Sequence, residues 1–377
     1  MMNKHRFSGF AAVAGALLLV GGCVSTPERY ALPVMVPELM ASGEVRAARA
    51  EEFRKLTAGI AVRGVGLFPR AFRIIPDEEL LDRISALGFN RIYCYISSEK
   101  QLDEEFRDFI SRAAKRGIAV EAVLNQRDFY CRATGNRIIR FFRPSYLRLD
   151  EAAEGLAEFN EELPRDARLA GVTVITEPHL FTPTNPDTPP DSLYYWSEDT
   201  FGPDLDNAML MRQSLDMLKA AAQKSPGLPL TVGVADFYHE LAVAGKLPLG
   251  KVSDFCAISP RIMLLDSGNK PSQAADVVEN ELAAIPAGST AMVGINLAGH
   301  TSVDSGSLRR RDWNDLMRGM KYLLGRFREH RAFEGFVIAP FSATSPFTVI
   351  TQPRMYRDPV LSYISKPLIT INSPSNE

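Results

Sequence analysis

The chain has 377 residues, of which 46% are hydrophobic and 23% are charged, and its formal net charge is −2. This composition is that of a globular protein with enough apolar residues for one large core, and it does not require a second domain. A nucleic-acid-binding protein normally concentrates basic residues to neutralise phosphates, so the near-neutral charge argues against that class and no nucleic-acid partner is expected.

The N-terminal segment predicts export and lipidation. A basic start is followed by an apolar run over residues 10–20 and by Leu-Val-Gly-Gly-Cys at residues 19–23. The run is shorter than the roughly 20 residues that span a bilayer, which disfavours a transmembrane anchor. The segment resembles the bacterial lipoprotein signal, in which small residues precede the cleavage site and the cysteine thiol is acylated. This resemblance implies a membrane anchor through a lipid on Cys23. Because Val24 rather than aspartate follows, it also implies the outer membrane, facing the periplasm or the cell surface.

Beyond the lipobox, a proline-containing tether leads into a helical stretch that carries Ala50 and Phe53 and would cover one end of the fold. From about residue 57, short apolar runs alternate with amphipathic helical stretches, a pattern that predicts βαβ units and a parallel sheet. The predicted strands are 60–66, 91–96, 119–124, 171–176, 230–235, 254–258, 291–295 and 335–339.

The predicted helices between them are 76–87, 104–116, 147–162, 206–223, 271–285 and 313–330, with a short helix within 237–250. Gly88 and Gly117 suit helix C-caps. Eight strands in one alternation predict a closed (β/α)8 TIM-type barrel, because closure leaves no unpaired edge. An open parallel α/β sheet would share the local pattern and stays the alternative. The predicted division is a signal peptide at 1–22, tether and leading helix at 23–56, barrel at 57–345 and a C-terminal segment at 346–377.

Three cysteines remain after Cys23 is assigned to lipidation, and export would place them in an oxidising compartment. Cys94 lies in the second predicted strand and Cys131 follows the third, so a disulfide between them is left open. Cys256 is expected to be a buried strand residue.

The best catalytic candidate follows the fourth predicted strand. Functional residues of such barrels lie at the C-terminal strand ends, and here Thr176-Glu177-Pro178 places a carboxylate at that rim. The tripeptide resembles the Asn-Glu-Pro at the end of strand four in the large clan of barrel glycoside hydrolases, and this resemblance implies that Glu177 is the general acid/base. The sequence departs from the clan in two ways. Thr176 replaces the asparagine, and residues 293–297 at the seventh strand contain no carboxylate to serve as the nucleophile of a retaining mechanism.

Two other carboxylates are predicted to neighbour Glu177. Asp236 follows the fifth strand directly and Asp128 follows the third. Repulsion within a carboxylate pair raises one pKa and yields an acid beside a base. The alternative is that both aspartates cap loops or pair with nearby arginines such as Arg127.

Substrate-binding residues are predicted around the same rim. The long loop 178–203 carries Tyr194, Tyr195 and Trp196, whose aromatic faces would stack on sugar rings unless the loop is a self-packed flap. Arg63, Tyr93 and Tyr95 on the first two strands would either hydrogen-bond a ligand in the barrel mouth or be ordinary packing. His179 and Asn296, after the fourth and at the seventh strand, complete the predicted set.

No metal or other cofactor is predicted. His179, His239 and His300 follow predicted strand ends, but the first strand lacks His-x-His and no helix carries an i, i+4 histidine pair. The sequence therefore favours an envelope-anchored, glycoside-hydrolase-like lipoprotein. The alternative is a non-catalytic glycan-binding or scaffold lipoprotein with a degenerate barrel site. The sugar, the linkage, the stereochemical outcome and the oligomeric state stay open.

Overall fold

The computed structural model describes residues 43–67, 77–96, 99–126, 129, 148–176, 205–245, 247–265, 271–296 and 313–339. The predicted signal peptide, Cys23, the tether, Cys131 and the predicted C-terminal segment lie outside these residues. Of the helices within them, none combines the length and apolar character that crossing a membrane requires.

The described strands form a closed parallel barrel in sequence order, with β8 paired to β1. The predicted (β/α)8 architecture is therefore confirmed, and the open sheet is excluded because both edges are paired to each other. The strands are β1 Val62–Leu67, β2 Arg91–Tyr95, β3 Ala119–Asn125, β4 Gly171–Thr176, β5 Leu230–Ala235, β6 Arg261–Leu265, β7 Thr290–Asn296 and β8 Phe333–Ala339.

The helices lie outside the barrel, where their apolar faces pack on the strands. Gly88 and Gly117 have φ of 80° and 70°, the left-handed conformation expected of the glycine that ends a helix. The described α-helices are α1 Gly43–Thr57, α2 Asp77–Ala86, α3 Glu104–Ala114, α4 Leu149–Glu162, α5 Leu205–Lys224, α6 Tyr238–Val243, α7 Val252–Cys256, α8 Pro271–Ala284 and α9 Trp313–Phe327.

The predicted sixth strand is wrong. Residues 254–258 belong to helix α7 and the turn after it, and β6 begins at Arg261. The carboxylate of Asp254 accepts hydrogen bonds from the backbone N–H groups of Gly250 and Lys251 at 2.8 and 3.0 Å, which stabilises a helix start. A short apolar run does not by itself distinguish a strand from a helical turn. Cys256 is accordingly a half-buried helix residue, not a buried strand residue.

Two separate apolar clusters stabilise the barrel. The outer cluster lies between strands and helices, and the inner one fills the barrel itself, so the interior is a packed core without a channel. Within the described barrel, a packed interior leaves the two ends as the places where a ligand can be held. The inner cluster consists of Val62, Tyr93, Val123, Ile175, Met263, Leu265, Met292 and Val337, with Tyr95 packed against it.

Helix α1 packs where β2 begins. Phe53 is fully buried, and its ring centroid lies 5.3 Å from that of Phe89 and 6.2 Å from that of Phe336. Arg328, which follows α9, donates from Nη2 to the backbone oxygen of Leu56 at 2.5 Å. The leading helix is thus part of the barrel's packing at its N-terminal end.

Candidate functional site

The C-terminal ends of β3, β4 and β5 lie side by side. Asn125 of β3 is in register with Ile175 of β4, and Thr176 of β4 with Val234 of β5. The segments that carry the three predicted carboxylates therefore leave the barrel from adjacent strands. Several predicted site residues lie outside the described residues and their roles stay predictions: Asp128, Glu177, His179, Tyr194, Tyr195 and Trp196.

A buried hydrogen-bond network holds the ends of β3 and β4 to α5. The side-chain oxygen of Gln126 accepts from the hydroxyls of Thr176 and Ser214, both at 2.5 Å, and its Nε2 donates to the backbone oxygen of Ser214 at 2.7 Å. All three residues are fully buried. Thr176 therefore directs its hydroxyl toward the helix layer, where it anchors the last residue of β4 rather than binding a ligand.

Asp236 directly follows β5 and is fully buried. Its backbone N–H donates to the oxygen of Leu265 at 3.3 Å, which extends the pairing with β6 by one residue. Because side chains alternate along a strand, Asp236 falls in the outward set with Val232 and Val234, both of which belong to the outer cluster. Its role as a catalytic partner stays a prediction.

Glu281 of α8 is a neighbour of Asp236 that the sequence analysis missed. Only 1% of Glu281 is exposed, and its Oε1 accepts a hydrogen bond from the backbone N–H of His239 at 3.1 Å. Burial raises the pKa of Glu281 to about 9; the hydrogen bond from His239 opposes this rise, and the negative charges of Asp236 and Glu240 add to it. A signal was present in the sequence, because Glu281 lies three residues after Val278 on the apolar face of the predicted helix.

The residues predicted at the barrel mouth separate into two groups. Tyr93 is fully buried inside the barrel, its hydroxyl donates to Sδ of Met292 at 2.8 Å, and burial raises its pKa well above the ordinary value. Arg63 donates from Nε to the oxygen of Gly88 at 2.6 Å and from Nη1 to that of Ile60 at 2.5 Å, beside the start of β2. Packing, the alternative reading, therefore holds for both. Tyr95 remains a candidate, since it is the last residue of β2 and is only partly buried.

Asn296 is the last residue of β7, in register with Ala339 of β8. It thus lies at the C-terminal end of the barrel, as the prediction requires. Its side chain lies outside what the structure describes, and its role in substrate binding stays a prediction.

The N-terminal half of the barrel interior holds a buried ionic cluster. The carboxylate of Glu121 is fully buried and accepts from Nη1 of Arg91 at 2.5 Å, from Nη2 of Arg261 at 2.6 Å and from the hydroxyl of Thr173 at 2.9 Å. Residues at this end of such barrels serve stability rather than catalysis. The sequence analysis missed the cluster because its members belong to four different strands.

Within the described ranges, no group of three or more histidine, cysteine, aspartate or glutamate side chains is arranged to hold a metal ion. His239 lies in α6, whereas His179 and His300 lie outside those ranges. The prediction that no metal is bound is therefore not tested for the whole rim.

No family model and no curated protein sequence matches the chain. Solved structures do match at low identity. A thermostable mutant of a xylanase from Cellvibrio japonicus is 12% identical with a TM-score of 0.45, covering 83% of this chain and 98% of that one. A β-mannanase from the blue mussel Mytilus edulis is 13% identical with a TM-score of 0.37, covering 72% and 93%.

A putative lyase/mutase from Burkholderia cenocepacia is 14% identical with a TM-score of 0.34, and the match covers 82% of this chain and 87% of that one. Solved structures of proteins with different named activities are thus similar to this chain to a comparable extent. At these identities and TM-scores the likeness carries no argument about activity, because one barrel fold supports many chemistries.

Proposed function

We propose that the protein is an envelope-anchored, glycoside-hydrolase-like lipoprotein in which Glu177 acts as proton donor on a glycan. The observation that carries the proposal is the adjacency of the C-terminal ends of β3, β4 and β5, from which the segments bearing Asp128, Glu177 and Asp236 depart. A filled barrel leaves its ends for chemistry, and in barrel enzymes the C-terminal end is the one used.

The alternation along β4 supports Glu177 in this role. Thr173 and Ile175 point into the barrel, where they contact Glu121 and the inner cluster respectively, whereas Thr176 points to the helix layer. One further step of the same alternation would direct residue 177 inward, toward the C-terminal opening. There it could protonate a glycosidic oxygen as the sugar leaves.

The second carboxylate would come from a neighbouring strand end. Asp128 is the partner we favour, because Asp236 is fully buried beside Glu281 and falls in the outward set. A carboxylate separation of roughly 5 Å would support retention through a covalent intermediate, and about 6.5–9.5 Å would support inversion. Tyr95, Asn296, His179 and the aromatic residues 194–196 would bind the sugar around this pair. The lipid on Cys23 would hold the site at the outer membrane.

The test is a hydrolysis screen of the full-length protein, purified in detergent, against envelope and dietary polysaccharides. Reducing ends released by wild type are compared with those from Glu177→Gln, and Glu158→Gln on the exposed face of α4 is the matched control. A general acid contributes typically 10²–10⁴-fold, so kcat of Glu177→Gln should fall by about 100-fold or more while the control keeps its activity. Wild-type activity in Glu177→Gln would remove that residue from the mechanism.

A second candidate is a non-catalytic glycan-binding lipoprotein. It is favoured by the composition of β7. Thr290–Asn296 contains no carboxylate, whereas the clan of barrel glycoside hydrolases that the sequence resembles keeps its nucleophile at the end of this strand. In that case wild type would release no reducing ends but would be retarded in gels that contain the polysaccharide. Trp196→Ala should abolish the retardation, and Glu177→Gln should not.

A further inference from the structure

Among the described residues, two hydrogen bonds join helices α6 and α8: an exposed one from Nδ2 of Asn280 to Oε1 of Glu240 at 3.4 Å, and one with a buried carboxyl acceptor. The acceptor is Oε1 of Glu281, and the donor is the backbone N–H of His239 in the first turn of α6, at 3.1 Å. Glu281 is 1% exposed and Asp236, where the chain enters α6, is 0% exposed. Two buried acidic side chains thus interact electrostatically beside the start of α6.

The charges around Glu281 give its ionised form little support. No ion pair joins it to a basic side chain in the part of the chain that the structure describes. On α6, His239 donates its backbone N–H to Glu281. Nδ1 of the His239 ring is buried without a hydrogen-bond partner among the described residues, and Glu240 adds a like charge.

The charged groups on the other neighbouring helices interact with residues other than Glu281. On α7, the carboxylate of Asp254 accepts hydrogen bonds from backbone N–H groups, and Lys251 just before that helix lowers the pKa of His239. On α9, Arg326 pairs with Glu279 and Asp276 of α8, and His330 beyond that helix also lies near Glu279.

We propose that neutral Glu281 is a pH-sensitive latch that holds α6 against α8, and that its ionisation releases α6 and the segment leading into it from β5. In the neutral acid the carbonyl oxygen accepts a hydrogen bond from the N–H of His239, and Glu281 itself adds no buried charge. Once the proton is lost, a carboxylate remains buried beside Asp236, and it gains solvation when α6 moves away and admits water. The inference stands independently of any glycan chemistry.

The sign of the pH effect follows from the two protonation states. The pKa of Glu281 is about 9 with α6 packed, against an ordinary value of 4.5 when the side chain is in water. Between these values the packed state binds more protons than the open state, so packing weakens as the pH rises. The opening equilibrium constant of α6 should increase by up to about tenfold per pH unit in this window.

Hydrogen exchange of the full-length protein, followed by mass spectrometry at pH 6, 7 and 8, measures the opening of α6 directly. After correction for the intrinsic exchange rate, the protection of peptides covering 238–244 should fall by about 100-fold between pH 6 and pH 8. Peptides covering α4 are the internal reference. In Glu281→Gln, which keeps the carbonyl acceptor and cannot ionise, the protection of α6 should be independent of pH.

Glu44→Gln in the first turn of α1 is the matched control, because it removes an exposed glutamate that is not among the charges acting on Glu281, and it should keep the wild-type pH response of α6. Asp236→Asn is the second variant, since removing the neighbouring charge lowers the pKa of Glu281 and the loss of protection should then end at a lower pH. The proposal is overturned if wild-type α6 shows no more pH dependence than α4. The same slope in Glu281→Gln as in wild type, or an unchanged end point in Asp236→Asn, also overturns it.

Discussion

Replacing Glu121 by glutamine should destabilise the barrel more than any surface substitution. Its carboxylate is 0% exposed and accepts hydrogen bonds from the guanidinium groups of Arg91 and Arg261 and from the hydroxyl of Thr173. Glutamine keeps the shape and one acceptor oxygen but removes the negative charge. Two arginine side chains would then share the lower part of the barrel interior without their common counter-charge.

The magnitude follows from burial. Removing one partner of a buried ion pair costs about 3–5 kcal/mol, because the remaining charge is left uncompensated. The side chains of Arg91 and Arg261 are 21% and 20% exposed, so water recovers part of this cost. We therefore expect Glu121→Gln to lower the free energy of unfolding by about 3 kcal/mol, toward the lower end of that range.

Urea unfolding of the full-length protein at pH 7, followed by circular dichroism, provides the measurement. Glu158→Gln on the exposed face of α4 is the matched control and should change the free energy of unfolding by less than about 0.5 kcal/mol. A loss below about 1 kcal/mol in Glu121→Gln would refute the reasoning, since that is the cost of one ordinary hydrogen bond. It would mean that water solvates the two guanidinium groups without help from the carboxylate.

Gly335→Ala should destabilise the protein by about 1–3 kcal/mol or prevent folding, because its Cβ would overlap a backbone oxygen of β1 that cannot move aside. Gly325→Ala lies in α9, where no atom is within 4 Å of the added Cβ, and it should stabilise the protein by about 0.5–1 kcal/mol. The urea midpoint should therefore fall in Gly335→Ala and rise in Gly325→Ala. Gln126→Leu should cost about 1–3 kcal/mol, because it leaves the buried hydroxyls of Thr176 and Ser214 without their shared acceptor. An unfolding midpoint equal to that of wild type would show that the network contributes nothing to stability.

Local signals predicted most of the fold. β4 and β5 begin and end at the predicted residues, because each is a short run rich in β-branched residues that begins at a glycine or directly after a proline and is followed by a polar residue. The helix ends at Gly88 and Gly117 follow from the left-handed conformation that glycine adopts most easily. The prediction of the sixth strand was wrong because the carboxylate of Asp254 accepts hydrogen bonds from the backbone N–H groups of Gly250 and Lys251 and so stabilises a helix start. The apolar pattern does not reveal this contact.

The candidate site was less predictable from the sequence. Glu177 could be singled out because it follows a strand end, which is a local property. Glu281 was overlooked because the groups that act on it, the N–H of His239 and the charge of Asp236, lie in a different βα unit.

The sequence by itself determined the order of strands and helices and the parallel, barrel-forming pattern, because both depend on side-chain periodicity and turn residues within a few positions of each other. Only the tertiary structure decided which polar groups meet. Glu121 binds Arg91 across 30 residues and Arg261 across 140, and these contacts exist because closure of the barrel brings the starts of distant strands into one interior. Periodicity carries no information about such pairs, since it reports which face a residue occupies and not what lies opposite it.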